Sequence, residues 1–167
     1  MLDSIFAKTA LSVRPEISFG LNSYRKRIET LTGYRYNTAG ECAELTFAKI
    51  EAIQRAMERL SVLSNAVDAA VALLNDRQRR LIDLVYFKGQ PRESVMAEMK
   101  LSPTQYKYLK NVSVKKIAGY LNILGFDNER FLAYFNAEPA VVRNYEILLL
   151  RRAACCFGGD EDVARSV

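Results

Sequence analysis

Three features of the 167-residue chain predict an all-α protein. Apolar side chains recur at three- and four-residue steps over most of its length, the spacing of helices that bury one face. Residues suited to opening helices (Asn75 or Asp76, Pro91, Ser102-Pro103) and to closing them (Gly89) punctuate those runs. Alternating β-branched runs bounded by two-residue turns are missing, apart from a short stretch around Gly33-Tyr34-Arg35-Tyr36.

Residues 1–40 are expected to hold N-terminal helices and a loop. Leu2 to Leu11 reads as a short helix ended by Pro15 and Gly20, and Asn22 to Leu31 as a second one with Tyr24, Ile28 and Leu31 on one face; Gly33 to Gly40 reads as loop. Residues 41–75 form a long amphipathic region with the stripe Ala43, Phe47, Ile50, Met57, Leu60, Val67, Val71 and Leu74, interrupted or capped at Ser64-Asn65. That stripe is expected to pack against another helix, of the same chain in preference to that of a dimer partner.

Residues 76–121 carry the most punctuation. A helix capped by Asn75 or Asp76 runs from Arg77 to Phe87, with Leu81, Ile82, Leu84 and Val85 inward and Arg77, Arg79 and Arg80 outward. Lys88-Gly89-Gln90 closes it. Pro91 opens a short helix through Met99, Lys100-Leu101-Ser102 is a three-residue connection, and Ser102 caps a helix with Pro103 in its first turn that reaches about Leu121. Residues 122–157 hold C-terminal helices: Asn128 to Phe135, then Pro139 leading into Val141 to Cys156. The second of these is apolar over more than one face, as expected of a helix in the core or in a homodimer interface. Residues 158–167, with Asp160-Glu161-Asp162, read as a disordered acidic tail.

Composition removes whole classes of chemistry. The chain has no histidine, so serine–histidine and cysteine–histidine nucleophile systems are excluded, together with the commonest zinc ligand. Cys42, Cys155 and Cys156 are too few and too badly spaced for a structural zinc site or a disulfide framework. No paired-carboxylate signature or Gly-rich phosphate loop is present, so no enzyme activity and no cofactor is expected. The first residues do not form a secretory signal, and no window reaches the roughly 18 apolar residues of a membrane span. The expectation is a reducing, cytoplasmic setting with no membrane partner.

Charge is concentrated. Residues 76–120 hold ten basic and four acidic side chains, a local +6, whereas the rest of the chain sums to −1. A basic segment in a near-neutral chain suggests a polyanion, since clustered Lys and Arg neutralise phosphates and release counterions. The same segment has the layout of a helix-turn-helix: short helix, tight turn with an apolar Leu101, capped longer helix. Val95, Met99, Leu101, Leu109 and Ile117 are the expected contacts between its helices, with Tyr106 and Val112 as further candidates. Thr104, Gln105, Lys107, Tyr108, Lys110 and Asn111 then face outward near the start of the second helix, with heads suited to base edges and phosphates. Ser102, Lys115, Lys116, Arg92 and the cluster Arg77, Arg79 and Arg80 complete the expected double-stranded DNA surface. Tyr106, Tyr108 and Tyr120 lie in different directions on a helix, which favours core packing for one or two and phosphate hydrogen bonding for another over a stacking platform for single strands.

Asp76-Arg-Gln-Arg-Arg-Leu-Ile-Asp-Leu-Val-Tyr-Phe-Lys-Gly89 and Val95-Met-Ala-Glu-Met-Lys-Leu-Ser102 resemble region 4 of sigma-70-type factors. The continuation Ser102-Pro-Thr-Gln-Tyr-Lys-Tyr-Leu-Lys110, then Val114 and Lys115-Lys-Ile-Ala118, is similar to the recognition helix of ArpU-type phage transcriptional regulators. The resemblance spans residues 65–121 and implies a phage or prophage transcriptional regulator whose helix from Pro103 enters the major groove. Two positions depart from the pattern: Met96 stands where a small Ala is usual, and Lys100 where the turn usually has Gly. Nothing resembles sigma region 2, so a self-sufficient sigma factor is not expected. Alternatives are a sigma-like protein acting through RNA polymerase, a small-terminase-like packaging component that assembles into rings on DNA, and a protein-interaction module that has kept the fold without DNA binding. The retained +6 charge argues against the last.

Overall fold

In the computed structural model, residues 2–33 and 43–156 are described, and they form seven α-helices with no strand. The strand-like signal at 34–36, the loop that follows, Cys42 and the tail 158–167 lie outside the described residues. Helix α1 spans Ser4–Gly33 without a break. Pro15 and Gly20 therefore do not end it, contrary to their local preference. An internal proline costs about 3 kcal/mol, but Leu11, Val13 and Ile17 around it are all buried. Burial contributes roughly 1.5–3 kcal/mol for each such side chain, so packing on the core outweighs the local penalty.

Helix α2, Ala43–Ala72, also runs unbroken, through Ser64-Asn65. Its buried line is Ile53, Ala56, Leu60, Leu63, Val67, Ala70 and, just past its end, Leu74; Phe47 is exposed rather than part of the stripe. Leu63 and Val67 are fully covered on either side of Ser64-Asn65, which holds the helical path through the pair. The Arg79 guanidinium donates to the carbonyls of Ala72 (2.9 Å) and Leu74 (3.0 Å), closing the C-terminal end of α2.

Helix α3 spans Asp76–Ile82 and continues as a π turn over Asp83–Phe87. Helices α4 (Arg92–Met99), α5 (Pro103–Ile123), α6 (Asn128–Phe135) and α7 (Pro139–Cys156) follow. Ion pairs Glu16–Arg143 (2.6 Å) and Asp3–Arg152 (3.1 Å) place α7 antiparallel to α1. Between them Phe6 stacks on Tyr145 (centroids 5.1 Å apart) and meets Phe131, which packs on Phe135 (4.9 Å). One apolar cluster thus joins α1, α2, α5, α6, α7 and Ile82 of α3. On α7, Val141 is buried and Tyr145 and Leu148 partly so, whereas Ile147, Leu149 and Leu150 remain exposed. Among the described residues no helix is long and apolar enough to cross a membrane.

Among the described residues one charged side chain enters this core. Glu138, beside Pro139 at the start of α7, is 1% exposed. Its carboxylate accepts from Arg59 Nη2 (2.6 Å) and Nε (3.0 Å) on α2 and from the Tyr24 hydroxyl (3.3 Å) on α1. Burial, and then the adjacent Glu138 charge, push the Tyr24 phenol above its ordinary range.

Candidate nucleic-acid interface

A second, smaller cluster holds α3, α4 and α5 together. Leu81, Leu84, Val95, Leu101 and Tyr106 are buried in it, with Val85, Met96, Met99 and Leu109 packed around them. The π turn divides the inward face of α3 between two cores: Leu81, Leu84 and Val85 face this cluster, whereas Ile82, Tyr86 and Phe87 pack on the main one. Ile117 lies in the main core, not between α4 and α5 as its spacing suggested, and Val112 belongs to neither cluster. By Ile117, α5 has left α4 behind and runs against α1 and α2. Met96 fits at the edge of the small cluster, where a flexible thioether repacks easily.

Local chemistry sets the ends of each element. Asn75 Oδ1 accepts from the Gln78 amide (2.9 Å) and opens α3. Gly89 closes the π turn at φ 61°, the left-handed conformation its position predicts. Pro91 precedes α4 in an extended conformation. Lys100 ends α4 at φ 52° and ψ 53°, a left-handed conformation that costs a non-glycine residue about 1–2 kcal/mol. Ser102 and Gln105 then form a reciprocal capping box: Ser102 Oγ accepts from the Gln105 amide (3.2 Å), and Gln105 Oε1 accepts from the Ser102 amide (3.0 Å). Ser102→Ala is expected to cost about 1 kcal/mol of stability, read as a lower midpoint in urea denaturation at unchanged slope. A midpoint equal to wild type would show that the box contributes nothing.

The predicted DNA-binding side chains divide by what already holds them. Gln105 and Ser102 cap α5. Arg79 closes α2, and Arg80 pairs with Glu98 across to α4. Lys116 donates to buried Gln78 (3.2 Å). Lys110 lies over the rings of Tyr106 (5.8 Å) and Tyr86 (6.0 Å), and Arg92 also lies over Tyr106 (5.8 Å). Lys88, outside the predicted set, pairs with Asp83 (2.9 Å). The predicted side chains that stay exposed, with no ion pair or side-chain hydrogen bond among the described residues, are Arg77 on α3 and Lys107 and Lys115 on α5, together with Thr104, Tyr108 and Asn111; Lys100 in the turn, outside the predicted set, is equally free of such partners.

Comparison with family models, curated proteins and solved structures yields no match.

At 100° per residue, Thr104, Lys107, Tyr108, Asn111 and Lys115 fall within an arc of about 100°, all exposed, with the Tyr108 side chain among the most open aromatics of the described residues. Buried Tyr106 and Ser113 lie on the opposite side. No residue of α5 is acidic. This face offers two ammonium groups, two hydroxyls and one amide that can both donate and accept, a set matched to phosphates and base edges. Sequence spacing alone did not separate these side chains from Lys110 and Lys116, whereas the engagement of Gln105 is local, with Ser102 three residues away. The partners Gln78 and Tyr86 sit on α3 and its π turn, far along the chain from Lys116 and Lys110.

Proposed function

We propose that this chain is a sequence-specific double-stranded DNA-binding transcriptional regulator of the phage or prophage kind, working in the cytoplasm. The observation that supports it most strongly is the carboxylate-free face of α5, directly after a tight capped turn, with two unpaired lysines around Thr104, Tyr108 and Asn111. In this reading α3, α4 and α5 act as the DNA-binding unit and the α5 face lies in the major groove. Asn111 reads a base edge, Thr104 and Tyr108 make base or phosphate contacts, and Lys107 and Lys115 hold phosphates. The resemblance to sigma region 4 supports a role at promoters, with RNA polymerase as a second partner.

Gln105, Lys110, Lys116, Arg79, Arg80 and Arg92 serve mainly to build and position that face, since each is engaged within the protein. Selection of bound sites from random duplex DNA tests the proposal. A defined motif is expected, and two half-sites one helical turn apart would identify a two-fold dimer as the binding form. Failure of the intact protein to shift any duplex at low salt overturns it.

A further inference from the structure

We infer that Lys100, the turn residue between α4 and α5, is an additional phosphate-binding side chain of this DNA surface. The inference rests on the DNA-binding reading of α5 and adds a residue that stands out in the sequence only as a departure from the usual glycine. Lys100 is the one non-glycine residue with positive φ among the described residues; the others at positive φ are Gly89 and Gly125. Glycine adopts this conformation without steric cost.

Nothing in the turn requires a side chain there. The bonds that close α4 are main-chain bonds, from the Lys100 amide to the Ala97 carbonyl (3.3 Å) and from the Leu101 amide to the Met96 carbonyl (2.9 Å), and glycine would make them equally. The Lys100 side chain is exposed and has no ion pair, hydrogen bond or ring contact among the described residues. It lies outside both apolar clusters and adds no pairing to the fold.

What lysine supplies at this strained position is an unneutralised ammonium, two residues before the cap of α5. Strain held by a residue with no structural return is characteristic of a functional site. A turn that leads into a groove-bound helix passes beside the duplex backbone, and phosphate contacts there set register without reading sequence. Lys100 thus adds a third exposed cation without an ion pair, seven residues before Lys107, to Lys107 and Lys115.

The test compares wild type with Lys100→Gly, Lys100→Gln and Lys100→Arg, measuring thermal stability and binding to a duplex over a range of NaCl concentrations. Lys100→Gly is expected to raise Tm by about 2–4 °C while weakening duplex binding uniformly across sequences, with a salt slope shallower by about one. Lys100→Gln keeps the strained backbone and loses the charge, so it weakens binding to the same extent without the gain in Tm. Lys100→Arg binds as wild type does. Wild-type affinity and slope in either neutral variant would overturn the role of Lys100 while leaving the α5 reading intact. Weakening by glycine alone would also overturn it, since that pattern belongs to the backbone. Absence of salt-dependent duplex binding by the wild-type protein removes both.

Discussion

Replacing Glu138 by alanine is expected to lower the free energy of unfolding by about 3 kcal/mol, at the lower end of the range for breaking a buried ion pair. Glu138 is 1% exposed and joins three segments far apart in the chain: Tyr24 of α1, Arg59 of α2 and the start of α7. Removing it leaves the Arg59 guanidinium without its carboxylate in a site where water reaches it only in part, its side chain being 24% accessible. That partial access is what keeps the loss near the lower bound. For a chain of this size the drop in Tm is about 6–12 °C. The double variant Glu138→Ala/Arg59→Met, which removes both charges, is expected to recover part of the loss, because desolvating a lone charge costs more than burying matched apolar groups. Chemical denaturation of the four members of this cycle measures the coupling. A loss below about 1 kcal/mol for Glu138→Ala, the worth of an exposed pair, would mean that water screens the site.

The second large effect concerns DNA. Lys107→Ala/Lys115→Ala is expected to make the dependence of log Kd on log salt shallower by about 1.8, since each phosphate neutralised by a lysine contributes about 0.9 to the slope. Both lysines are exposed and neither has an ion pair or side-chain hydrogen bond among the described residues, so Tm should stay near the wild-type value. Asn111→Ala should act differently, costing about 1–3 kcal/mol of discrimination at one base-pair position while leaving the salt slope unchanged. The contrast separates phosphate holding from base reading. Equal slopes for the double variant and wild type would remove α5 from the interface. A uniform loss for Asn111→Ala across all sequences would assign that side chain to the backbone instead.

Much of this molecule was legible in short-range signals. Ser102-Pro103 with Gln105 opens α5 where it stands in the sequence, because a capping box involves neighbours only three residues apart. Asn75 and Gly89 bound α3 and its π turn for the same reason. The segments α4, α6 and α7 begin and end close to where proline, caps and apolar spacing place them. Pro15 and Ser64-Asn65 misled for the converse reason. Their local preferences are breaks, yet Leu11, Val13 and Ile17, and Leu63 and Val67, are buried by residues distant in the chain, and that burial decides.

The candidate interface divides in the same way. Basic charge within residues 76–120, the all-helical architecture and the outward set on α5 follow from composition and periodicity, which require only neighbours along the chain. Which cations stay free does not. Lys116 is engaged by Gln78, Lys110 by Tyr86, Arg80 by Glu98, and Glu138 is buried against Arg59, each pairing set by how helices pack. Helices, their caps and the sign of the charge are properties of short stretches, because the interactions that specify them close within one or two turns. The path of α1 through Pro15 and the pairings that engage Lys110 and Lys116 while leaving Lys107 and Lys115 free were decided by tertiary packing, where burial and pairing between distant segments outweigh local preference.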